Sequence, residues 1–233
     1  MSQSFSLLDS LAVADLQTYL SRAARVEEGS VRLIGASGVL AVYTAILYPR
    51  GLLDRTPTVL GLRTFAIEHA EPIDAVVPIR SLLDRLARLA ESLAAAEAGA
   101  DGAAGGPVEV RMPLEVSTVT WAGISPPRGG WRPVGETTSE LLASTAGRGI
   151  AEVAEAVPTG TGEQLVQRVR AEVWGRPIDG LEYVPAGAAF AAESLGFLSP
   201  DEPVAILETG TWTRLTTRRG HTLIRRQAWS LRG

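Results

Sequence analysis

The stretches of this chain that read as β-strands come in consecutive runs, and helical stretches fall between those runs rather than after every strand. A parallel sheet needs a long crossover, usually a helix, after each strand, whereas antiparallel neighbours can be joined by a tight turn. The order therefore predicts an α+β fold, with antiparallel strand groups, helices packed against them, and either one domain or two related halves.

Residues 30–34 and 39–47 read as strands, and Gly35-Ala36-Ser37-Gly38 between them predicts a hairpin turn. The second strand is rich in β-branched and aromatic residues (Val39, Val42, Tyr43, Thr44, Ile46), the composition of a strand buried on both faces. Residues 58–67, 108–112 and 116–122 predict further strands, and 75–79 is a short apolar run. The chain closes with residues 204–217, a turn at Arg218-Arg219-Gly220, and residues 221–226, which together predict a terminal hairpin.

Helices are marked by capping patterns. Ser6 with Asp9 precedes a helix running to about Val26, with Leu16, Tyr19, Leu20 and Ala23 on one face. Ser81 with Asp84 opens another, on which Leu82, Leu86, Leu89 and Leu93 share a face. That face predicts core, with a dimer seam as the alternative; four leucines are too short a repeat for a coiled coil. Thr137 with Glu140 opens a third helix, weakened by Gly147 and Gly149. Thr161 with Gln164 opens a fourth, and an Ala-rich helix covers residues 186–198.

Residues 99–107 (GADGAAGGP) are small and without periodicity, a linker or a long surface loop. They divide the chain into an N-terminal α+β part, residues 1–98, and a C-terminal α+β part, residues 108–233, that ends in the hairpin. Residues 125–135, rich in Pro and Gly, predict a second loop.

Composition narrows the chemistry. The chain has no Cys, no Lys and no Asn, and all 22 basic residues are Arg, the mark of a GC-rich coding genome. Without Lys there is no Schiff base or P-loop lysine, and without Cys no thiol nucleophile or thiolate metal site. His69 and His221 cannot by themselves build a His-rich zinc site. No basic leader or membrane-length apolar stretch is present, which predicts a soluble cytoplasmic protein. No cofactor motif is found, and Gly35-Ala36-Ser37-Gly38 lacks the dinucleotide spacing.

Three groups of residues remain as candidates. Glu68-His69-Ala70-Glu71 with Asp74 is the densest ionisable cluster, either a polar connection or a tuned general base. Pro49-Arg50-Gly51 and Pro127-Arg128-Gly129 begin two similar loops. A genuine duplication would place Arg50 and Arg128 as two guanidinium forks for an anion, with Trp131 as an apolar wall. Residues 209–233 carry Arg214, Arg218, Arg219, Arg225, Arg226 and Arg232 and no acid. That leaves 16 Arg against 26 acids, a charge of −10, for residues 1–208.

Three functional readings follow. The first is a non-enzymatic binding or accessory protein that engages a protein partner or itself, as a homodimer. The second is a nucleic-acid-binding regulator using Arg214, Arg218, Arg219, Arg225 and Arg226 in a winged-helix-like order, although the Ala-rich third helix has little with which to read a base. The third is an anion-binding protein or cofactor-free enzyme built on Arg50, Arg128 and Trp131.

Overall fold

A computed structural model of the chain describes residues 3–51, 54–68, 71–99, 106–116, 119–123, 125–158, 160 and 162–225. The chain divides into two compact units. Unit 1 is Met1–Thr44 with Leu62–Ala122, and unit 2 is Ala45–Gly61 with Gly123–Gly233.

Unit 1 begins with β1 (Ser4–Leu7), followed by α1 (Ser10–Val26). The Asp9 carboxylate accepts a hydrogen bond from the N–H of Ala12 at 2.7 Å, satisfying one of the orphan donors of the first turn. Asp9 is therefore the N-cap. Ser6 lies in β1, which pairs antiparallel with β6 (Val108–Arg111). The next strands are β2 (Ser30–Ala36), β3 (Val39–Leu47), β4 (Thr58–Ala66) and β5 (Ile73–Pro78). Ala36 faces Val39, so Ser37 and Gly38 form a two-residue turn with φ of 52° and 78°. Positive φ at both central positions is the type I′ geometry whose twist matches a hairpin.

The strand order here is β5-β2-β3-β4, and β3 and β4 both run on into unit 2. Helix α2 (Ile79–Gly99) follows β5 directly and packs on α1. Leu82 and Leu86 are fully buried, as are Leu16, Tyr19 and Leu20, each contributing about 2 kcal/mol of burial. Leu82 and Leu86 are thus core of their own unit, while Leu89 and Leu93 are half-buried.

None of the described residues among 116–122 lies in a strand. Val116 N–H donates to the Val76 carbonyl at 2.8 Å, one bond along the outer edge of β5. The chain then makes a 3₁₀ turn at Thr120–Gly123 that buries Trp121, and burying the indole interrupts any ladder. Arg32 fixes this turn. Its Nε and Nη2 each donate to Asp74 at 2.8 Å, and its Nη1 donates to the Ala122 carbonyl at 2.6 Å. The elements on either side of the glycine-rich residues 99–107, α2 and β6, belong to the same unit, and the unit boundary falls between Ala122 and Gly123.

Unit 2 contains β7 (Arg132–Thr138), α3 (Ser139–Ala156), α4 (Glu163–Gly175), β8 (Pro177–Ile178), β9 (Leu181–Pro185) and α5 (Ala186–Ser194). It ends with β10 (Pro203–Thr209), β11 (Trp212–Thr216) and β12 (His221–Arg225). The long strand expected at 204–217 is two strands, because the chain reverses at Gly210, whose φ is 53°. Strand β7 occupies residues expected to be loop. It lies at the end of the order β7-β10-β11-β12, an edge position that tolerates Pro133.

Helix α5 is the centre of this unit. Its Ala186, Gly187, Ala188, Ala189, Ala191 and Ala192 are all buried. A Cβ at Gly187 would come within 3.0 Å of the Trp174 carbonyl and 3.1 Å of Leu47, so only small residues admit the close approach of α4 and β3. Trp174 stacks on Phe190 with ring centroids 4.3 Å apart.

Each unit repeats one arrangement. An outer strand leads straight into a helix (β5 into α2, β7 into α3) and lies beside three consecutive strands that follow another helix (α1-β2-β3-β4 and α5-β10-β11-β12). The fold is α+β with two related halves. The Pro-Arg-Gly loops do not hold equivalent places in that repeat, since the first follows β3 and the second precedes β7.

Candidate interaction surface

Register assigns the side chains of the unit 2 sheet to two faces. Ile206 lies opposite Leu215, Leu215 opposite Thr222, and Thr213 opposite Ile224, and all five are buried, with Glu208 half-buried on the same face. The other face carries Ala205, Leu207, Thr209, Trp212, Arg214, Thr216, His221, Leu223 and Arg225. It is half open. Only Trp212 and Leu223 are buried on it, and Arg225 is exposed.

Arg214 is the central charge of this half-open face, with Leu207 and Leu223 as its cross-strand neighbours. Its guanidinium lies over the Trp131 ring, 4.6 Å from the centroid, a geometry in which the ring quadrupole attracts the cation. Trp131 is held by its own loop: its Nε1–H donates to the Pro127 carbonyl at 3.1 Å, and Gly130 turns the chain with a φ of 76°. Arg214 Nε is buried and has no hydrogen-bond partner. Burial lowers the pKa of Arg214. His221, on the same face, is pushed down to about 4 by burial and by the Arg214 charge, and its Nδ1 lies 3.2 Å from Thr216 Oγ1. At neutral pH the imidazole is uncharged.

The other arginines of the C-terminal segment are distributed along the hairpin. Arg218 and Arg219 sit at the β11–β12 turn with exposed side chains. Their backbone N–H groups donate to Glu202 Oε1 and Thr217 Oγ1, which leaves the guanidiniums outward. Arg225 lies at the far end of β12. Among the described residues, no acid forms an ion pair with the guanidinium of Arg214, Arg218, Arg219 or Arg225. Arg226 and Arg232 lie outside the described residues.

Two expectations about this region are corrected. The hairpin is not a projecting wing, because β11 and β12 both lie inside the sheet and the nearer edge strand is β7. The helix that would serve as a recognition helix, α5, is core and presents almost no surface. At the turn that joins β11 and β12, Arg218 and Arg219 are exposed, while Gly220 is buried against the Phe197 ring.

The remaining candidates are less connected. Arg50 is exposed, its guanidinium 5.2 Å from the Tyr48 ring and its N–H donating to Asp54 Oδ2 at 2.8 Å. Burial disfavours the Asp54 charge, but the N–H groups of Arg50 and Thr56 and the Thr56 hydroxyl outweigh it and hold the carboxyl below its usual range. Asp54 thereby ties together the described residues on either side of it in this loop. Arg128 is exposed three residues before Trp131, which pairs with Arg214 rather than serving a fork of Arg50 and Arg128. His69 lies outside the described residues, and Asp74 of the ionisable cluster is engaged by Arg32. The Trp131–Arg214 pair was invisible from spacing, since 83 positions separate the two residues.

Among the described residues, no group of three His, Asp or Glu is placed to hold a metal ion, and no helix is long and apolar enough to cross a membrane.

Comparison with known proteins gives two family matches. Residues 1–106 match the Domain of unknown function (DUF8010), and residues 126–229 match the Domain of unknown function (DUF8185). Among curated proteins no sequence matches significantly. Solved structures with a similar fold include three sliding clamps. The DNA polymerase sliding clamp from Caulobacter crescentus has 12% identity and a TM-score of 0.49, covering 99% of this chain and 67% of that one. The clamp from Pseudomonas aeruginosa has 15% identity and a TM-score of 0.49, with 98% and 65% covered. The DNA polymerase III subunit beta from Bartonella birtlesii, bound to griselimycin, has 13% identity and a TM-score of 0.48, with 99% and 66% covered. The chain spans about two thirds of the length of these clamps.

Proposed function

We propose that this chain is a non-catalytic binding protein that engages a protein partner, or a second copy of itself, through the arginine-bearing hairpin and half-open sheet face of unit 2. One observation carries the reading. Arg218, Arg219 and Arg225 are exposed and unpaired with any described acid, on a chain whose residues 1–208 sum to −10. Guanidinium groups left outward on an acidic chain are complementary to acidic protein surface, including its own, and steer association more than they add to fold stability.

Contact with nucleic acid is the second reading, favoured by Arg218 and Arg219 standing side by side at a turn. Two features weigh against it. Arg225 is separated from that turn by the length of β12, five residues or about 16 Å, so the described arginines do not form one continuous track. The net charge of −4 also lacks a domain-wide basic footprint.

The discriminating experiment captures partners of the tagged full chain from native lysate, with and without nuclease, and identifies them by mass spectrometry. A defined partner should survive nuclease and be lost from Arg218→Ala/Arg219→Ala/Arg225→Ala. If all association disappears with nuclease, the protein-partner reading fails. Anisotropy of a labelled duplex at low salt completes the test, because binding with a steep salt slope that flattens in the same variant is the nucleic-acid outcome.

A further inference from the structure

We propose that the half-open face of the unit 2 sheet holds a carboxylate receptor, in which the Arg214 guanidinium, backed by the Trp131 ring, takes an Asp or Glu side chain from an acidic segment of a protein partner. The inference rests on the partner-binding reading and names the chemistry of its central contact.

Arg214 is in an unusual position for a cation. It lies mid-strand on β11, flanked by the apolar Leu207 and Leu223, half buried, with one face of its guanidinium against an indole. Its Nε–H is removed from water and has no acceptor. A buried donor without a partner costs free energy that a cation–π contact only partly offsets, because the ring meets the guanidinium plane and not its in-plane N–H groups. Those in-plane donors are what a carboxylate fits, as a two-point fork. Nε, closed to water, is closed to an outside group as well, so the carboxylate would take the Nη1–Nη2 edge, whose donors also have no partner among the described residues, and neutralise the half-buried charge there.

The surroundings select for an anion and against a second cation. His221 is neutral at physiological pH, and Arg225 is the diagonal neighbour of Arg214 on the same face. The acidic groups on the surrounding strands do not compete. Glu208 points to the opposite face, where it meets Thr213, and Glu136 lies opposite Ala205, two strands and two residues away. Arg132 is the cross-strand partner of Glu208 and shares its opposite face, so the further cation on the Arg214 face is Arg225, whose exposed charge would draw acidic segments toward it. A single negative charge suits the apolar centre better than a dianion, which would bring a second charge into a site with one half-buried cation.

The test uses the indole Nε1–H resonance of Trp131 in the ¹⁵N-labelled full chain, identified by its loss in Trp131→Phe. Titration with N-acetyl-glutamate α-amide should move it saturably in the millimolar range, against potassium chloride at matched ionic strength. Arg214→Gln should abolish the response, and Arg214→Lys, which keeps charge but loses the fork, should weaken it at least several-fold. Arg80→Gln, which removes an exposed arginine of unit 1 that pairs with Glu28, should leave the response unchanged and separates loss of the fork from loss of any one positive charge. A response no different from chloride, or one that persists in Arg214→Gln, overturns the receptor. So does a clear preference for inorganic phosphate, the outcome expected if the face serves nucleic acid. Should the probe fail while nuclease-resistant partner capture persists in Arg214→Gln, the receptor falls and the partner-binding reading stands.

Discussion

Gly149 of α3 lies against the six-membered ring of Trp174 of α4, so closely that a Cβ at position 149 would overlap ring atoms Cζ3 and Cη2. The glycine that weakens the helix in isolation is therefore the one that lets α4 pack. Gly147, two residues earlier, is exposed and has nothing within 4 Å of where a Cβ would stand. The two positions should respond oppositely to the same substitution. Gly149→Ala should destabilise by about 1–3 kcal/mol through overpacking, and Gly147→Ala should stabilise by about 0.5–1 kcal/mol through helix propensity. Urea denaturation of both variants gives the comparison, and equal effects would show that Trp174 does not sit on the α3 backbone.

His221 makes stability depend on pH in a defined window. Its pKa is held at about 4 in the fold against 6.5 for the free side chain, so the unfolded chain takes up a proton first as pH falls. The contribution is fully present above about pH 6.5, is lost as the pH drops toward 4, and is constant below that. At pH 4.5 the loss is on the order of 2–3 kcal/mol. Carboxylates titrate in the same range, so the informative quantity is the difference between the wild-type chain and His221→Gln, measured by denaturation at pH 7 and pH 4.5. The variant should lose less stability by that amount, and parallel losses would mean the imidazole is not buried beside Arg214.

What could be read in the sequence follows the range over which each signal acts. The β2–β3 hairpin was legible because Ser37 and Gly38 accept positive φ locally, and α1 because its apolar period and Asp9 lie within a few turns. Strand β7 was not, because Pro133 and Gly135 are turn residues by propensity and become strand only by pairing with β10, some 70 positions later. The central place of β12 depends likewise on β4, which no local pattern reports. At the candidate surface the sequence supplied the arginines and Trp131. It could not show that Trp131 serves Arg214, or that Arg50 is occupied with Tyr48 and Asp54.

Arg32 should act as the latch of the segment that covers the outer edge of β5. It holds both oxygens of Asp74 and the Ala122 carbonyl, and it is the less exposed partner of that ion pair. Arg32→Gln removes the fork and one bond to the 3₁₀ turn. Hydrogen exchange should then accelerate about tenfold or more at Val116 N–H, which donates to Val76, while amides in the core of α1 keep their protection. Unchanged exchange at Val116 would mean that Trp121 burial alone secures the segment.

The buried pair Tyr19 and Thr44 offers a test of how α1 is pinned to β3. The Tyr19 hydroxyl lies 2.9 Å from Thr44 Oγ1 and 3.3 Å from the Val42 carbonyl, and burial, only partly offset by Thr44 and Arg63, drives its pKa well above the usual phenol range. The phenol therefore stays protonated across any accessible pH, and the pair contributes no pH dependence of its own. Tyr19→Phe leaves the Thr44 hydroxyl without its partner and should cost about 1–2 kcal/mol. Thr44→Val leaves the tyrosine hydroxyl its bond to Val42 and should cost less, about 1 kcal/mol. In the double variant both polar groups are gone, so no buried donor or acceptor is stranded, and the combined cost should fall short of the sum of the singles by at least 0.5 kcal/mol. Strict additivity in that cycle would mean the two hydroxyls do not meet and that α1 is held to β3 by apolar packing alone.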